Sequence, residues 1–296
     1  MKGKWGIFTL LIISGFLNQT LFERDSMYSH ISVRDEGGIR TLYFNTFPQT
    51  RMSLLNPYDG AFEYTKFVHL AFLMNPKIKK VLLIGLGGGS INRALWKFYP
   101  GVQVDTVEID PMVVEVATKF FGLPNTSQHR VFVDDGRKYL KKTPEKYDFL
   151  FMDAYLANPY SPYIPFHLAT KEFFELADKK LNPEGVIGFN VIGTLTGPNN
   201  QTTRAIYKTL AYRFGTVYYI PAISSMNVVL FGLKTERYPS VQDLLKRAME
   251  KAKTQSEVVP EYLAMVGRVQ TVVLPTDDVP LLTDEYAPIE TLNILR

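Results

Sequence analysis

A glycine-rich turn followed by carboxylates is the feature of this sequence best suited to chemistry. The apolar run 81–84 is typical of a buried parallel strand, and it leads directly into four glycines that precede a predicted helix. These glycines are Gly85, Gly87, Gly88 and Gly89. Such a turn brings backbone N–H groups and a helix N-terminus against a ligand. The next strand leads into Glu108 and Asp110, and a carboxylate there can accept both hydroxyls of a ribose, which predicts a nucleoside site.

The spacing of the glycines separates two kinds of nucleoside ligand. The dinucleotide fingerprint Gly-x-Gly-x-x-Gly requires a third glycine at position 90, where this chain has serine. Ligands of the S-adenosylmethionine type need no cradle for a pyrophosphate, so the looser turn suits them better. Dinucleotide binding is therefore the less favoured alternative.

Carboxylates also follow the next two predicted strands. Asp135 and Gly136 lie between a strand and a helix, so Asp135 is either a contact for the exocyclic amine of adenine or a helix cap. Asp153 follows the apolar strand 147–152, where an acid is costly unless it is solvated, paired or used. Asp153 is a candidate general base or a partner for a substrate amine, and the alternative is a structural turn.

Strands and helices alternate from residue 81 onward, which predicts a mostly parallel sheet with helices on both faces. Strands are predicted over 81–85, 103–108, 130–133, 147–152, 185–191, 216–220 and 227–232. Helices are predicted over 61–74, 90–98, 111–120, 136–141, 170–180, 199–213 and 239–252. The last two strands are too close in sequence for a crossover helix, so we expect an antiparallel hairpin at the edge of the sheet.

Three segments are predicted along the chain. Residues 1–22 contain two lysines followed by a short apolar run, which is typical of a signal or membrane-anchor segment. Residues 26–56 are predicted to form a small β-hairpin unit, with strands over 27–33 and 39–44. The remainder, 57–296, is the predicted nucleoside-binding α/β catalytic domain.

The N-terminal segment leaves two alternatives for the location of the protein. A functional signal or anchor predicts export or association with a membrane through the N-terminus. A mispredicted start, with no functional signal or anchor, predicts a cytoplasmic protein.

The composition argues against several classes of function. The chain has no cysteine, which excludes disulfides, thiol nucleophiles and thiolate metal sites. Its net charge of +4 comes from interspersed acids and bases, and without a compact basic stripe we expect no nucleic-acid partner. The four histidines lack metal-ligand spacing, so we expect core or surface roles for them and no metal site. They are His30, His69, His129 and His167.

Four motifs together resemble the spermidine synthase family, the polyamine aminopropyltransferases, and in particular its divergent spermidine-synthase-like branch. They are the glycine turn Gly-Leu-Gly-Gly-Gly and the runs 108–115, 134–140 and 147–153. Methyltransferases that use S-adenosylmethionine share the single motifs, but the order of the motifs and the N-terminal β unit are more specific. The fold that this resemblance implies is α/β, a class I methyltransferase-like (Rossmann-like) seven-stranded sheet preceded by a small N-terminal β unit.

The resemblance implies transfer of an aminopropyl group from decarboxylated S-adenosylmethionine to a polyamine or another amine. Asp153 matches the proton acceptor of the family, and Glu108 matches its ribose ligand. Asp135 and Gly136 match its adenine contact. Because family members often pair, a homodimer is a further expectation.

Two tyrosines are predicted to contact the substrate. Tyr64 matches the tyrosine of a Tyr-His pair on the helix before the sheet, although Thr65 replaces the histidine. Tyr155 lies on the long loop after Asp153, where its ring would pack an alkylammonium by a cation–π contact or simply pack within the loop.

The sequence departs from the family pattern at two acids. Gly88 stands where the family usually has an acid that helps hold the aminopropyl ammonium of the donor. Leu156 stands where a second acid follows the proton acceptor by three residues. Acids near the C-terminus would replace this charge if the tail folded over the site, and they are Asp277, Asp278, Asp284 and Glu285.

Three functions therefore stay open. The leading hypothesis is an aminopropyltransferase with Asp153 as its base. The second is a methyltransferase that uses intact S-adenosylmethionine, which the glycine at position 88 favours. The third is a non-catalytic, membrane-anchored protein that binds a polyamine or a nucleoside.

Overall fold

A computed structural model describes residues 18–58, 60–124, 126–158, 160–197, 200–253 and 259–292. The predicted signal or anchor segment lies outside these ranges up to residue 17. Its last residues, 19–22, belong instead to the first strand of a sheet. Within the described ranges, every helix is too short or too polar to cross a membrane.

The N-terminal sheet has four antiparallel strands in chain order. They are β1 (Gln19–Asp25), β2 (His30–Glu36), β3 (Ile39–Phe44) and β4 (Phe47–Ser53). β2 and β3 form the predicted hairpin, and the left-handed φ angles of +56° and +82° at Gly37 and Gly38 suit its two-residue turn. β1 was not predicted, because it is a largely exposed edge strand without a buried apolar face.

The main sheet has seven strands, as predicted, and two short strands pair outside it. The strands that follow the N-terminal sheet are β5 (Lys80–Ile84), β6 (Gln103–Glu108), β7 (His129–Val133), β8 (Tyr147–Met152), β9 (Leu156–Ala157), β10 (Pro162–Tyr163), β11 (Leu181–Ile192), β12 (Val217–Ala222) and β13 (Asn227–Leu233). Their order in the main sheet is β12-β13-β11-β8-β5-β6-β7, with β9 and β10 paired separately. β5 to β8 and β11 run parallel, and β12 and β13 form the expected antiparallel edge hairpin.

The helices lie near the predicted positions, except the last of them, Val259–Val266, which was not predicted. They are α1 (Tyr64–Phe67), α2 (Ala71–Met74), α3 (Ser90–Phe98), α4 (Pro111–Phe121), α5 (Gly136–Lys142), α6 (Lys171–Lys180), α7 (Gln201–Phe214), α8 (Val241–Ala252) and α9 (Val259–Val266). The helix predicted over 61–74 begins at Tyr64, and a 3₁₀ turn, Val68–Leu70, joins its two α-helical parts. A second 3₁₀ turn, Phe166–Leu168, precedes α6.

Neighbouring residues of the central strands face opposite cores, as the two-residue period of a strand requires. Leu83 and Phe151 pack with α1–α3, α8 and α9 on one face of the sheet. Leu82 and Leu150 pack with α5, α6 and α7 on the other. This double burial explains why the central strands are continuous apolar runs in the sequence.

The N-terminal sheet is fixed to the main sheet through α4. Buried side chains of β2 and β3, among them Val33 and Leu42, pack against Val116 and Phe121 of α4. Arg40 adds a hydrogen bond from Nη1 to the backbone oxygen of Phe120, at 2.6 Å. This packing brings β4 next to the glycine turn that follows β5.

Candidate active site

A cavity lies at the carboxyl ends of the central parallel strands, where sheets of this type bind ligands. β3 and β4 of the N-terminal sheet complete its lining. Eight of the predicted site residues line the cavity, and they are Tyr64, Gly85, Gly87, Glu108, Asp135, Gly136, Asp153 and Tyr155. Three others lie outside the lining, and they are Gly88, Gly89 and Asp110.

Close packing leaves too little space for a side chain at each of the four glycines of the turn, and the contacts are tightest at Gly85 and Gly88. A Cβ on Gly85 would lie 2.3 Å from the backbone oxygen of Asp153. The backbone N–H of Gly88 donates to Thr50 Oγ1 at 2.8 Å, and a Cβ there would lie 2.7 Å from Thr50 Cγ2 and 3.0 Å from Phe121 Cδ1. Thr50 and Phe121 therefore fill the space that an acidic side chain at position 88 would need.

Glu108 is held by the backbone beside the turn. Its two carboxylate oxygens accept hydrogen bonds from the N–H groups of Leu86 and Asp110, each at 3.0 Å. Burial raises the pKa of Glu108, and these backbone donors partly offset that effect. Each oxygen keeps a further lone pair for a ligand hydroxyl. Asp110 instead caps α4, because its Oδ1 accepts from the N–H of Met112 at 2.9 Å.

Asp135 is both a cavity-lining residue and a helix cap. Its Oδ1 accepts from the N–H of Lys138 at 2.8 Å, and its Oδ2 pairs with His167 Nε2 at 2.9 Å. The His167 hydrogen bond lowers the pKa of Asp135 to about 2. His167 lines the cavity as well, although its sequence position predicted only a core or surface role.

Asp153 sits at the centre of a short hydrogen-bond relay. Asn190 Nδ2 donates to Asp153 Oδ1 at 2.7 Å, and the Tyr64 hydroxyl donates to Oδ2 at 3.1 Å. Asn227 Nδ2 donates to Asn190 Oδ1 at 3.0 Å, which fixes the orientation of the Asn190 amide. Burial raises the pKa of Asp153 to about 7, against the lowering effect of Asn190 and Tyr64. A carboxylate with that pKa can both take and release a proton near neutral pH.

The Tyr155 hydroxyl is already paired with β11. It donates to the backbone oxygen of Asn190 at 2.9 Å and accepts from the N–H of Ile192 at 2.7 Å. Burial and the neighbouring Asp153 raise its pKa well above the ordinary value. Only the ring of Tyr155 is therefore left to contact a ligand.

Acids of the C-terminal tail do not supply charge to the cavity. Asp278 pairs with Arg204 at 2.8 Å, and Asp284 pairs with Arg137 at 2.7 Å. All four tail acids named above are outside the lining, so the expectation that the tail replaces the missing acids is wrong. In the described part of the chain, His, Asp and Glu side chains form no group that could hold a metal ion.

Comparison with known proteins places the chain in a family. A family profile described as "Spermine/spermidine synthase domain" matches residues 61–196. A polyamine aminopropyltransferase of Vibrio vulnificus (strain CMCP6) is 31% identical over 286 residues, which cover 92% of this chain and 91% of that protein. The chain belongs to the spermine/spermidine synthase family. A probable polyamine aminopropyl transferase of Bifidobacterium longum (strain NCC 2705) is 27% identical over 285 residues, covering 92% of this chain and 62% of that protein.

Solved structures confirm the predicted fold of this spermine/spermidine synthase family member. The spermidine synthase of Thermotoga maritima superposes with a TM-score of 0.64 at 19% identity, covering 84% of each chain. Human methyltransferase-like protein 13, in complex with SAH, superposes with a TM-score of 0.57 at 23% identity, covering 76% of this chain and 99% of that one. Both likenesses concern the fold, the class I methyltransferase-like sheet predicted from the sequence.

The residues that sequence analysis missed come from distant parts of the chain. Asn190 had one local signal, since it is the amide within the otherwise apolar end of β11. Its pairing with Asp153 follows from the register, in which Phe189 lies beside Met152. Thr50 had no such signal, because its role depends on how the N-terminal sheet packs.

Gly88→Ala is expected to lower the free energy of unfolding of the protein by about 1–3 kcal/mol, because the added methyl group would lie too close to Thr50 and Phe121. The measurement is urea unfolding followed by circular dichroism. Gly101→Ala is the matched control, since a Cβ at Gly101 meets nothing within 4 Å. Adding Thr50→Ser should restore part of the loss by removing Cγ2. Equal stability of the two single variants would contradict the packing argument.

Proposed function

We propose that this protein transfers an aminopropyl group from decarboxylated S-adenosylmethionine to an amine, a reaction of polyamine biosynthesis. The observation that carries the proposal is the buried Asp153 carboxylate beside the glycine turn, with its pKa raised to about 7. The relatives described above are named as polyamine aminopropyltransferases, which supports the same reaction.

The nucleoside half of the donor would lie over β5, β6 and β7. Glu108 would accept the two ribose hydroxyls, since each of its oxygens keeps a free lone pair. Asp135 and Gly136 would contact the adenine, with His167 holding the Asp135 carboxylate ionised. Gly85 and Gly87 line the cavity without side chains, so the donor would contact their backbone directly.

The reaction itself is a displacement at the carbon bonded to sulfur. The lone pair of the neutral acceptor nitrogen forms a new N–C bond, and the C–S bond breaks with its electron pair going to sulfur. The positively charged sulfonium thereby becomes the neutral thioether of methylthioadenosine. The proton lost by the acceptor nitrogen passes to Asp153, and positioning of the two substrates supplies much of the remaining rate gain.

The relay around Asp153 sets the pH at which this base is available. Asp153 accepts a proton only when ionised, so kcat should rise with pH and level off above about 7. Asn190→Ala removes the hydrogen bond that lowers the pKa of Asp153, so the acidic limb of the kcat profile should move to higher pH. Asn182→Ala, which removes an amide hydrogen-bonded to Asp148, is the matched control. An unmoved limb would contradict the relay.

The proposal is tested by calorimetric titration and by product analysis with two donors. Decarboxylated S-adenosylmethionine and methylthioadenosine should bind more tightly than S-adenosylmethionine, and methylthioadenosine should be released when an amine is added. Methylation of an acceptor with intact S-adenosylmethionine would favour a methyltransferase instead. Binding without turnover would favour a nucleoside- or polyamine-binding protein.

The predicted assembly and location complete the proposal. A homodimer and association with a membrane through the N-terminus are proposed from the sequence alone, beside the alternative of a cytoplasmic protein. The reaction needs no metal, since the sulfonium is already an activated leaving group.

A further inference from the structure

The cavity has a neutral side beyond Asp153. Here this side is called the far wall, and it consists of Asn190, Ile192, Ser225 and Asn227, contributed by β11, β13 and the turn before β13. In the sheet, β11 and β13 lie on the opposite side of β8 from β5, β6 and β7. An amine that reacts beside Asp153 would therefore extend along the far wall, away from the nucleoside.

The carboxylates of the cavity are all on the other side or at its centre. They are Glu108, Asp134, Asp135 and Asp153. The chain that builds the far wall is free of acidic residues over the whole stretch 185–235. Glu63, the acid next to Tyr64 in sequence, is directed at Ser224, whose N–H and hydroxyl both donate to its Oε2 at 3.0 Å. Its Oε1 is paired with Arg268.

The far wall contains one hydroxyl group without a hydrogen-bond partner among the described residues, that of Ser225. The hydroxyl oxygen of Ser225 is enclosed, and the residue lines the cavity. Asn227, two residues later, already donates to Asn190. A buried polar group is normally paired, so the Ser225 hydroxyl is suited to a ligand that brings its own neutral donor or acceptor.

The acceptor has a reacting nitrogen beside Asp153 and an opposite end that contacts the far wall. The charge of that opposite end determines which acceptors can bind there. An ammonium enclosed without a carboxylate loses hydration worth several kcal/mol, and the neutral side chains of the far wall cannot restore it. A cation–π contact with a cavity ring such as Phe62 returns only about 2 kcal/mol. The desolvation of a hydroxyl costs far less free energy, and the hydroxyl can form a hydrogen bond with Ser225.

We infer that the acceptor is a primary amine with one basic nitrogen and a neutral, hydrogen-bonding far end, the amino alcohol class. The inference rests on the proposed function. The basic nitrogen gives its proton to Asp153 and takes the aminopropyl carbon, while the far hydroxyl bonds to Ser225. The product is a secondary amine that keeps the hydroxyl of the acceptor, together with methylthioadenosine.

The test compares acceptors of matched length with decarboxylated S-adenosylmethionine as donor and methylthioadenosine release as readout. The series is 4-aminobutan-1-ol, 1,4-diaminobutane and butylamine, with the three- and five-carbon homologues of each. We expect kcat/KM for the best amino alcohol to exceed that of the matched diamine by at least about tenfold, because the diamine buries an unpaired charge. A diamine that reacts as well as the amino alcohol, or better, would overturn the inference and leave the proposed function standing.

Variants of two adjacent serines locate the contact. Ser225→Ala should lower the ratio of kcat/KM for the amino alcohol over butylamine by about tenfold, the usual value of one hydrogen bond. Ser224→Ala is the matched control, since that hydroxyl faces Glu63, and it should leave the ratio unchanged. An unchanged ratio in Ser225→Ala would overturn the role of Ser225. No methylthioadenosine with any acceptor would overturn the proposed function itself, and the inference with it.

Discussion

Asp153→Asn is expected to lower kcat by about 10²- to 10⁴-fold, the usual contribution of a general base. The substitution keeps the size of the side chain and its hydrogen bonds, because the new amide oxygen can accept from Asn190 and the new NH₂ group can donate to Tyr64. The affinity for methylthioadenosine should therefore stay nearly unchanged. Single-turnover kinetics and calorimetry measure the two quantities.

The same variant should differ from the natural protein in how its stability depends on pH. Burial raises the pKa of Asp153 from 3.8 to about 7, so the folded protein holds this proton more tightly than the unfolded chain. The contribution of Asp153 to stability therefore falls as pH rises through that interval. Asp153→Asn should have the higher Tm at pH 8, and the difference should shrink at pH 5. Full turnover in this variant would remove Asp153 from its assigned role, whatever the Tm.

Glu108→Gln is expected to weaken methylthioadenosine binding by about 10- to 100-fold, because hydrogen bonds to a charged group contribute roughly 1.5–3 kcal/mol each. The amide also places an N–H donor against the N–H of Leu86 or Asp110, which disturbs the glycine turn. Calorimetric titration measures the affinity, and kcat at saturating donor should change much less than the affinity.

A matched variant shows whether a loss of affinity in Glu108→Gln comes from the ribose contact or only from the removal of one negative charge. Glu115→Gln removes an exposed carboxylate of α4 outside the cavity lining, and it should leave affinity unchanged. Near-ultraviolet circular dichroism reports whether Glu108→Gln keeps its packing. A correctly folded Glu108→Gln protein that binds as tightly as the natural one would refute the ribose assignment.

The fold was predictable because its signals are local. β5 and β8 contain continuous apolar runs, and a glycine turn or an acid stands at the carboxyl end of each strand from β5 to β8. Because these ends share one edge of a parallel sheet, Glu108, Asp135 and Asp153 could be assigned to one cavity before the structure was known.

The site residues that the sequence did not predict depend on contacts between residues far apart in sequence. His167 reaches Asp135 across 32 positions, and Asn190 reaches Asp153 across 37. Neither pairing has a short-range pattern that sequence spacing could reveal. The edge strand β1 was missed for a different reason, since its order comes from pairing with β2 and its side chains are mostly exposed.

The contact between Thr50 and Gly88 restricts the order in which this chain can change during evolution. The two residues are 38 positions apart, yet a side chain at position 88 collides with the threonine already present. If Gly88 mutates to aspartate while Thr50 is present, the new side chain overlaps the threonine. If Thr50 is first replaced by a smaller residue, that overlap is reduced. The effect of a substitution at position 88 therefore depends on the residue at position 50, so the two sites are epistatic.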